Sequence, residues 1–138
     1  MSWEKDFPIG KEKEREVREY FGQFFEVEES VGKAQYDLSI KAKLEVKFDQ
    51  KATTTGNFAI EIYFRGKQSG LSITEARSWV LCTEEGCWLM PTTELKRIVK
   101  IIYTGKKLVP GGDNNEARLA LIPYSTVKLY QKLELSPF

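Results

Sequence analysis

The chain contains no histidine. That absence excludes Ser-His-Asp and Cys-His catalysis, histidine zinc sites and histidine-dependent metal nucleases. Hydrolytic chemistry would fall to carboxylates, lysine, tyrosine, serine or cysteine. Cysteine is scarce too: Cys82 and Cys87 are the only two, and a structural zinc ion would need two further thiolates or imidazoles. Buried free thiols are the expected state, with a disulfide across a hairpin as the alternative. No apolar run approaches the roughly 20 residues that span a bilayer. Residues 1–13 are polar and charged, unlike the apolar core of a signal peptide. A cytoplasmic protein with no membrane partner is the expectation. Charge of one sign is also lacking: 21 basic and 20 acidic residues leave a net charge of +1, below that of most nucleic-acid-binding domains. What remains is 138 residues, 41% hydrophobic and 30% charged, which predicts a single domain over residues 1–138.

Periodicity predicts a first helix over 10–25, where Val17, Tyr20, Phe21, Phe24 and Phe25 recur at helical spacing. Its alternating Glu and Lys or Arg residues read as solvated ion pairs. Strands are predicted over 25–29, 34–40 and 44–48, the last two as an antiparallel hairpin turning near Lys41 and Ala42. A polar loop follows at 53–57, then a strand over 58–64 with Phe58, Ile60, Ile62 and Phe64 on one face, and a turn over 65–70. Ser72 and Glu75 stand at capping-box spacing before a helix over 72–81. A strand over 87–90, a helix over 93–103, a loop over 108–116, a strand over 118–122 and a helix over 125–133 complete the order α-β-β-β-β-α-β-α-β-α. This is a mixed α/β (α+β) layered fold with a central mixed sheet flanked by helices.

The segment that carries chemistry runs from Tyr36-Asp37 to Glu45-Val46-Lys47-Phe48-Asp49. Strand periodicity puts Glu45 and Lys47 on one face and turns Val46 and Phe48 to the other, the expected core side. A hairpin would bring Asp37 beside Glu45. Two adjacent carboxylates repel unless a cation sits between them, and hard oxygen ligands suit Mg²⁺ or Mn²⁺. A lysine two residues on could hold an attacking water or stabilise the charge developing on a phosphate. A second Glu-x-Lys, at Glu94-Leu95-Lys96, opens a predicted helix and has no nearby aspartate.

These motifs resemble the PD-(D/E)XK nuclease superfamily, and within it the archaeal Holliday-junction resolvases and small phage-encoded nucleases. Residues 10–17, Asp37 with Glu45-Val46-Lys47, and the stretch from Thr55-Gly56-Asn57 through Ser69-Gly70-Leu71-Ser72 to Ala76 and Trp79 carry the resemblance. The resemblance implies a restriction-endonuclease-like core and a metal-dependent DNA endonuclease, a phosphodiester hydrolase leaving 5′-phosphate and 3′-hydroxyl ends. It implies that Asp37, Glu45 and the Val46 carbonyl hold the metal, that Glu14 completes the site from the first helix, and that Lys47 acts on the water. A homodimer is the expected assembly. With so short a chain, a structure-selective substrate such as a four-way junction is expected. The chain departs from the family pattern in the short Asp37-to-Glu45 spacing and in carrying Tyr36, not proline, before the aspartate.

Around this site, Lys51, Thr55, Asn57, Arg65 and Lys67 are candidate DNA contacts, and Glu61 a candidate accessory ligand. Trp79, Trp88, Tyr103, Tyr124 and Tyr130 read as core residues, not base-stacking platforms. The rival readings are a non-catalytic DNA-binding or assembly subunit on the same fold, and an unrelated α+β interaction protein in which the motif arose by chance.

Overall fold

The computed structural model describes residues 3–30 and 38–135. The chain is a mixed α+β structure whose contacts cluster into two compact units, Met1–Lys43 and Leu44–Phe138. Among the described residues no helix is long and apolar enough to cross a membrane.

In the first unit, helix α1 (Trp3–Gly22) precedes two strands, β1 (Glu26–Glu29) and β2 (Leu38–Lys41), which pair antiparallel with Val27 opposite Ile40. The charged face of α1 forms the expected pairs: Lys11 with Glu14, Lys13 with Glu16, and Arg15 with both Glu12 and Glu19. Tyr20, Phe21, Phe24 and Phe25 cluster with ring centroids 5.3–6.5 Å apart.

The second unit opens with β3 (Leu44–Phe48), the one-turn helix α2 (Ala52–Thr55), β4 (Asn57–Phe64) and the short β5 (Lys67–Gln68). Then come β6 (Ser78–Thr83), β7 (Gly86–Pro91), α3 (Thr92–Tyr103), β8 (Val109–Gly111), β9 (Ala117–Pro123), the one-turn α4 (Tyr124–Val127) and β10 (Gln131–Lys132). They form two four-stranded sheets, ordered β10-β7-β6-β3 and β5-β4-β9-β8. One hydrophobic core draws on both: Trp79 and Leu81 from β6, Trp88 and Met90 from β7, Phe58 and Ile60 from β4, Ala120 and Ile122 from β9. Leu95 and Ile98 of α3 and Tyr124 and Val127 of α4 close it. The aromatic residues read as core behave so: Trp79, Trp88 and Tyr124 are buried, and Tyr103 and Tyr130 pack against the cluster.

Several sequence expectations are corrected. Residues 72–81 form no helix; a 3-10 turn at Gly70–Ser72 leads instead to strand β6, buried along its whole length. The run Trp79-Val80-Leu81-Cys82 is a continuous apolar segment of the kind that lies inside a sheet covered on both faces. Ser72, expected to cap a helix, donates its hydroxyl to the Ile62 carbonyl at 2.7 Å. That turn sits close under β4: Gly70 has φ +51°, and a Cβ there would collide with the Glu61 carbonyl oxygen. The helix expected over 125–133 shrinks to α4 and is followed by β10, and the polar loop at 53–57 contains α2. Within β4 the alternation breaks at a β-bulge between Glu61 and Tyr63, which re-aims the residues after it. Phe58 and Ile60 are buried, while Phe64 is exposed.

The hairpin expected between 34–40 and 44–48 is replaced by two other ladders. β2 pairs with β1, and β3 pairs parallel with β6. The two residues between β2 and β3 are Ala42 and Lys43, neither suited to the positive φ angles that two-residue hairpin turns demand. Cys82 and Cys87 face each other across β6 and β7 and are joined as a disulfide, not free thiols. Antiparallel register and the two-residue turn at Glu84-Glu85 bring their Cα atoms within 4.1 Å of each other.

Candidate functional site

The centre of the candidate site is β3. Its parallel ladder sets Glu45 beside Trp79 and Lys47 beside Leu81, so these two charged residues share the face of the sheet that carries the core. Val46 and Phe48 lie on the other face and are 61% and 58% exposed. The expectation that Val46 and Phe48 point into the core is thus inverted. Alternation fixes which residues share a face, but not which face the core occupies, and β3 is an edge strand where either face can meet water. Glu45 is half-buried and Lys47 exposed, and neither has a hydrogen-bond or ion-pair partner among the described residues. The two side chains therefore stand uncommitted at the rim of the core, about 6–7 Å apart along the strand. In the same row the indole N–H of Trp79 is buried without a hydrogen-bond partner.

Asp49, just beyond β3, is the residue whose role the sequence reading missed. Its backbone N–H donates to the Cys82 carbonyl at 3.0 Å, extending the ladder. One carboxylate oxygen accepts from the Lys51 N–H at 2.9 Å and the other from the Ala59 N–H at 3.1 Å. Asp49 thereby ties the end of β3 to α2 and β4. An aspartate one residue past a strand end, before a turn, is the local signal for such a brace. A groove of about 340 Å³ opens here, lined by Lys47, Gln50 and Lys51 on one side and by Phe58 and Ala59 on the other.

The candidate DNA contacts divide. Lys51 and Lys67 are exposed with no carboxylate partner among the described residues. Thr55 and Asn57 satisfy each other: Asn57 N–H donates to Thr55 Oγ1 at 3.2 Å, and Asn57 Nδ2 donates to the Thr55 carbonyl at 3.3 Å. Arg65 is bound to Glu116 at 2.8 Å and lies over the Phe64 ring. Glu61 is half-buried on β4. The second Glu-x-Lys falls in α3, where Glu94 pairs with Arg97 at 2.6 Å.

In the first unit, Glu14 is the most sheltered of the three neighbouring helix acids: its side chain is 24% exposed, against 52% for Glu12 and 50% for Glu16. Asp37 lies outside the described residues. Among the described residues no three acids or cysteines gather as a metal cluster. Glu45, a half-buried carboxylate without a partner among the described residues, is a hard oxygen donor of the kind that Mg²⁺ or Mn²⁺ prefers.

Beside the groove, the turn between β6 and β7 is held by hydroxyls. Tyr124 is buried; its hydroxyl lies 2.7 Å from Thr83 Oγ1 and donates to Glu85 Oε1 at 2.8 Å, and Thr53 donates to Glu84 at 3.2 Å. Burial pushes the Tyr124 hydroxyl above its ordinary pKa; the Thr83 bond opposes that shift and the Glu85 carboxylate adds to it. A raised tyrosine pKa favours the neutral form in the fold. Its stabilisation is complete below the unfolded value of about 10 and is lost as pH rises through the folded value. Tyr124→Phe is expected to cost about 1–1.5 kcal/mol at pH 7 and to flatten the fall in stability above about pH 10. Urea denaturation at the two pH values checks this; an unchanged alkaline limb would contradict it.

No family model, no curated protein and no solved structure matches the chain.

Proposed function

We propose that the protein is a metal-dependent endodeoxyribonuclease with a restriction-endonuclease-like core, in which β3 carries the catalytic Glu45 and Lys47. The supporting observation is that these two side chains stand at Glu-x-Lys spacing on one face of an edge strand without a protein partner among the described residues, and that Lys47 lines a groove. A half-buried carboxylate without a partner, as at Glu45, costs stability unless a ligand meets it. Glu45 and the Val46 carbonyl would hold Mg²⁺ or Mn²⁺. When bound, the ion supplies Lewis-acid neutralisation of phosphate charge. Lys47 presents an ammonium to the attacking water and to the phosphate oxygens, where negative charge grows in the transition state. Lys51, at the groove wall, meets a flanking phosphate. Asp49 keeps its oxygens on backbone N–H groups and positions β3 relative to β4.

The substrate is DNA, with structure-selective cutting such as Holliday-junction resolution, by a homodimer in the cytoplasm. Incubating the full chain with linear, nicked, flapped and four-way DNA, with Mg²⁺ or Mn²⁺ and then with EDTA, tests the reading. Cleavage that needs the metal and yields 5′-phosphate ends is the expected result. Metal-independent binding without cleavage of any of these substrates would instead identify a non-catalytic DNA-binding subunit.

A further inference from the structure

Away from β3, a second groove of about 320 Å³ runs between α3 and the 3-10 turn at Gly70–Ser72. Its floor is apolar, with Leu71 and Val99, and its rim carries Gln68, Lys96 and Lys100. Lys96 and Lys100 stand one helical turn apart, so their ammonium groups share a face and repel. Neither has a carboxylate partner among the described residues, because the helix acid Glu94 is already bound to Arg97. The surrounding sequence deepens the imbalance: residues 92–112 hold five basic side chains and one acid, in a chain with a net charge of +1. Two uncompensated like charges on one helix face raise the local positive potential and attract anions.

Strand β4 contributes to both grooves, Ala59 to the first and Ile62 to the second. We propose that the second groove is a phosphate-backbone contact, in which Lys96 and Lys100 hold a DNA duplex. The inference rests on the nuclease reading for its ligand. The contact reads no sequence, since ammonium groups on phosphates set position and orientation only. Gln68 adds a neutral amide donor at the same rim.

The test is fluorescence anisotropy with the full chain and a fluorescein-labelled DNA duplex, in EDTA, across a salt series. Lys96→Gln/Lys100→Gln is expected to weaken binding roughly tenfold or more near 0.1 M salt and to reduce the slope of log K against log salt by about 1.8, the equivalent of two phosphates. Lys106→Gln/Lys107→Gln, which removes the same charge beyond the helix end, is expected to keep most of the slope. An unchanged slope in the first variant, an equal loss in the second, or no measurable duplex binding by the parent protein each overturns the proposal. Single-turnover cleavage with saturating enzyme separates the two readings. Normal cleavage alongside a reduced salt slope supports both, whereas a reduced slope in a protein that never cuts retains the groove and removes the nuclease.

Discussion

Lys47→Ala is expected to lower single-turnover cleavage about 10²–10³-fold, or roughly 3–4 kcal/mol, with little change in stability. The two halves of that expectation have separate origins. Lys47 is exposed and makes no ion pair among the described residues, so truncating it strands no buried partner, and surface changes of that kind stay within about 0.5 kcal/mol. Its charge, by contrast, is the only positive group on the Glu45 face of β3, so the transition state has no substitute on that strand. In the proposed reading Glu45 would still hold the ion, and DNA binding should fall only modestly. Cleavage with enzyme in excess over labelled DNA, in Mg²⁺ or Mn²⁺, measures the chemical step without interference from product release. A rate close to that of the parent protein would remove Lys47 from catalysis.

Phe58→Ala should have the largest effect on the fold itself. Phe58 is 1% exposed, meets the Tyr124 ring edge-on at 5.5 Å, and lies in the core that joins the two sheets of the second unit. Removing a buried phenyl ring costs about 3–5 kcal/mol through lost transfer energy and the cavity left behind. For 138 residues that corresponds to a fall in Tm of about 10–15 °C. The change should also reach the site, because Phe58 lines the first groove and the next residue, Ala59, donates the N–H that holds Asp49. Thermal denaturation followed by circular dichroism reads the first effect. A loss below about 1 kcal/mol would show that Phe58 is not central to the packing.

The contrast between β4 and β6 shows what the sequence could reveal. Phe58 and Ile60 alternate with polar or small residues, and strand periodicity identifies their buried face correctly up to the bulge at Ile62. A bulge depends on the opposing strand β9 and leaves no mark in the local pattern. In β6 the residues Trp79 to Cys82 are all apolar, so no period distinguishes strand from buried helix, and the Ser72 and Glu75 spacing pointed the wrong way. α3 was legible because Leu95, Ile98 and Ile102 repeat at helical intervals. For the site, the shared face of Glu45 and Lys47 follows from strand geometry alone. Which face meets the core does not, since that depends on β6 pairing with β3 from far along the chain. Asp49 and the lysines of α3 escaped notice for the same reason: their importance lies in partners, present or missing, that tertiary structure supplies.

That distant pairing also orders events in time. The β6–β7 hairpin turns within two residues, whereas the β3 ladder joins Leu44 to Ser78, more than thirty positions away. Chain entropy makes the longer closure the costlier one, and contacts of that range form slowly compared with hairpins. The strand bearing Glu45 and Lys47 therefore joins after the β6–β7 hairpin has formed. As an edge strand it is held by a single parallel ladder. The proposed reactive groups thus lie on a segment that joins after the hairpin it leans on, so a chain in which only that hairpin has formed lacks the proposed site.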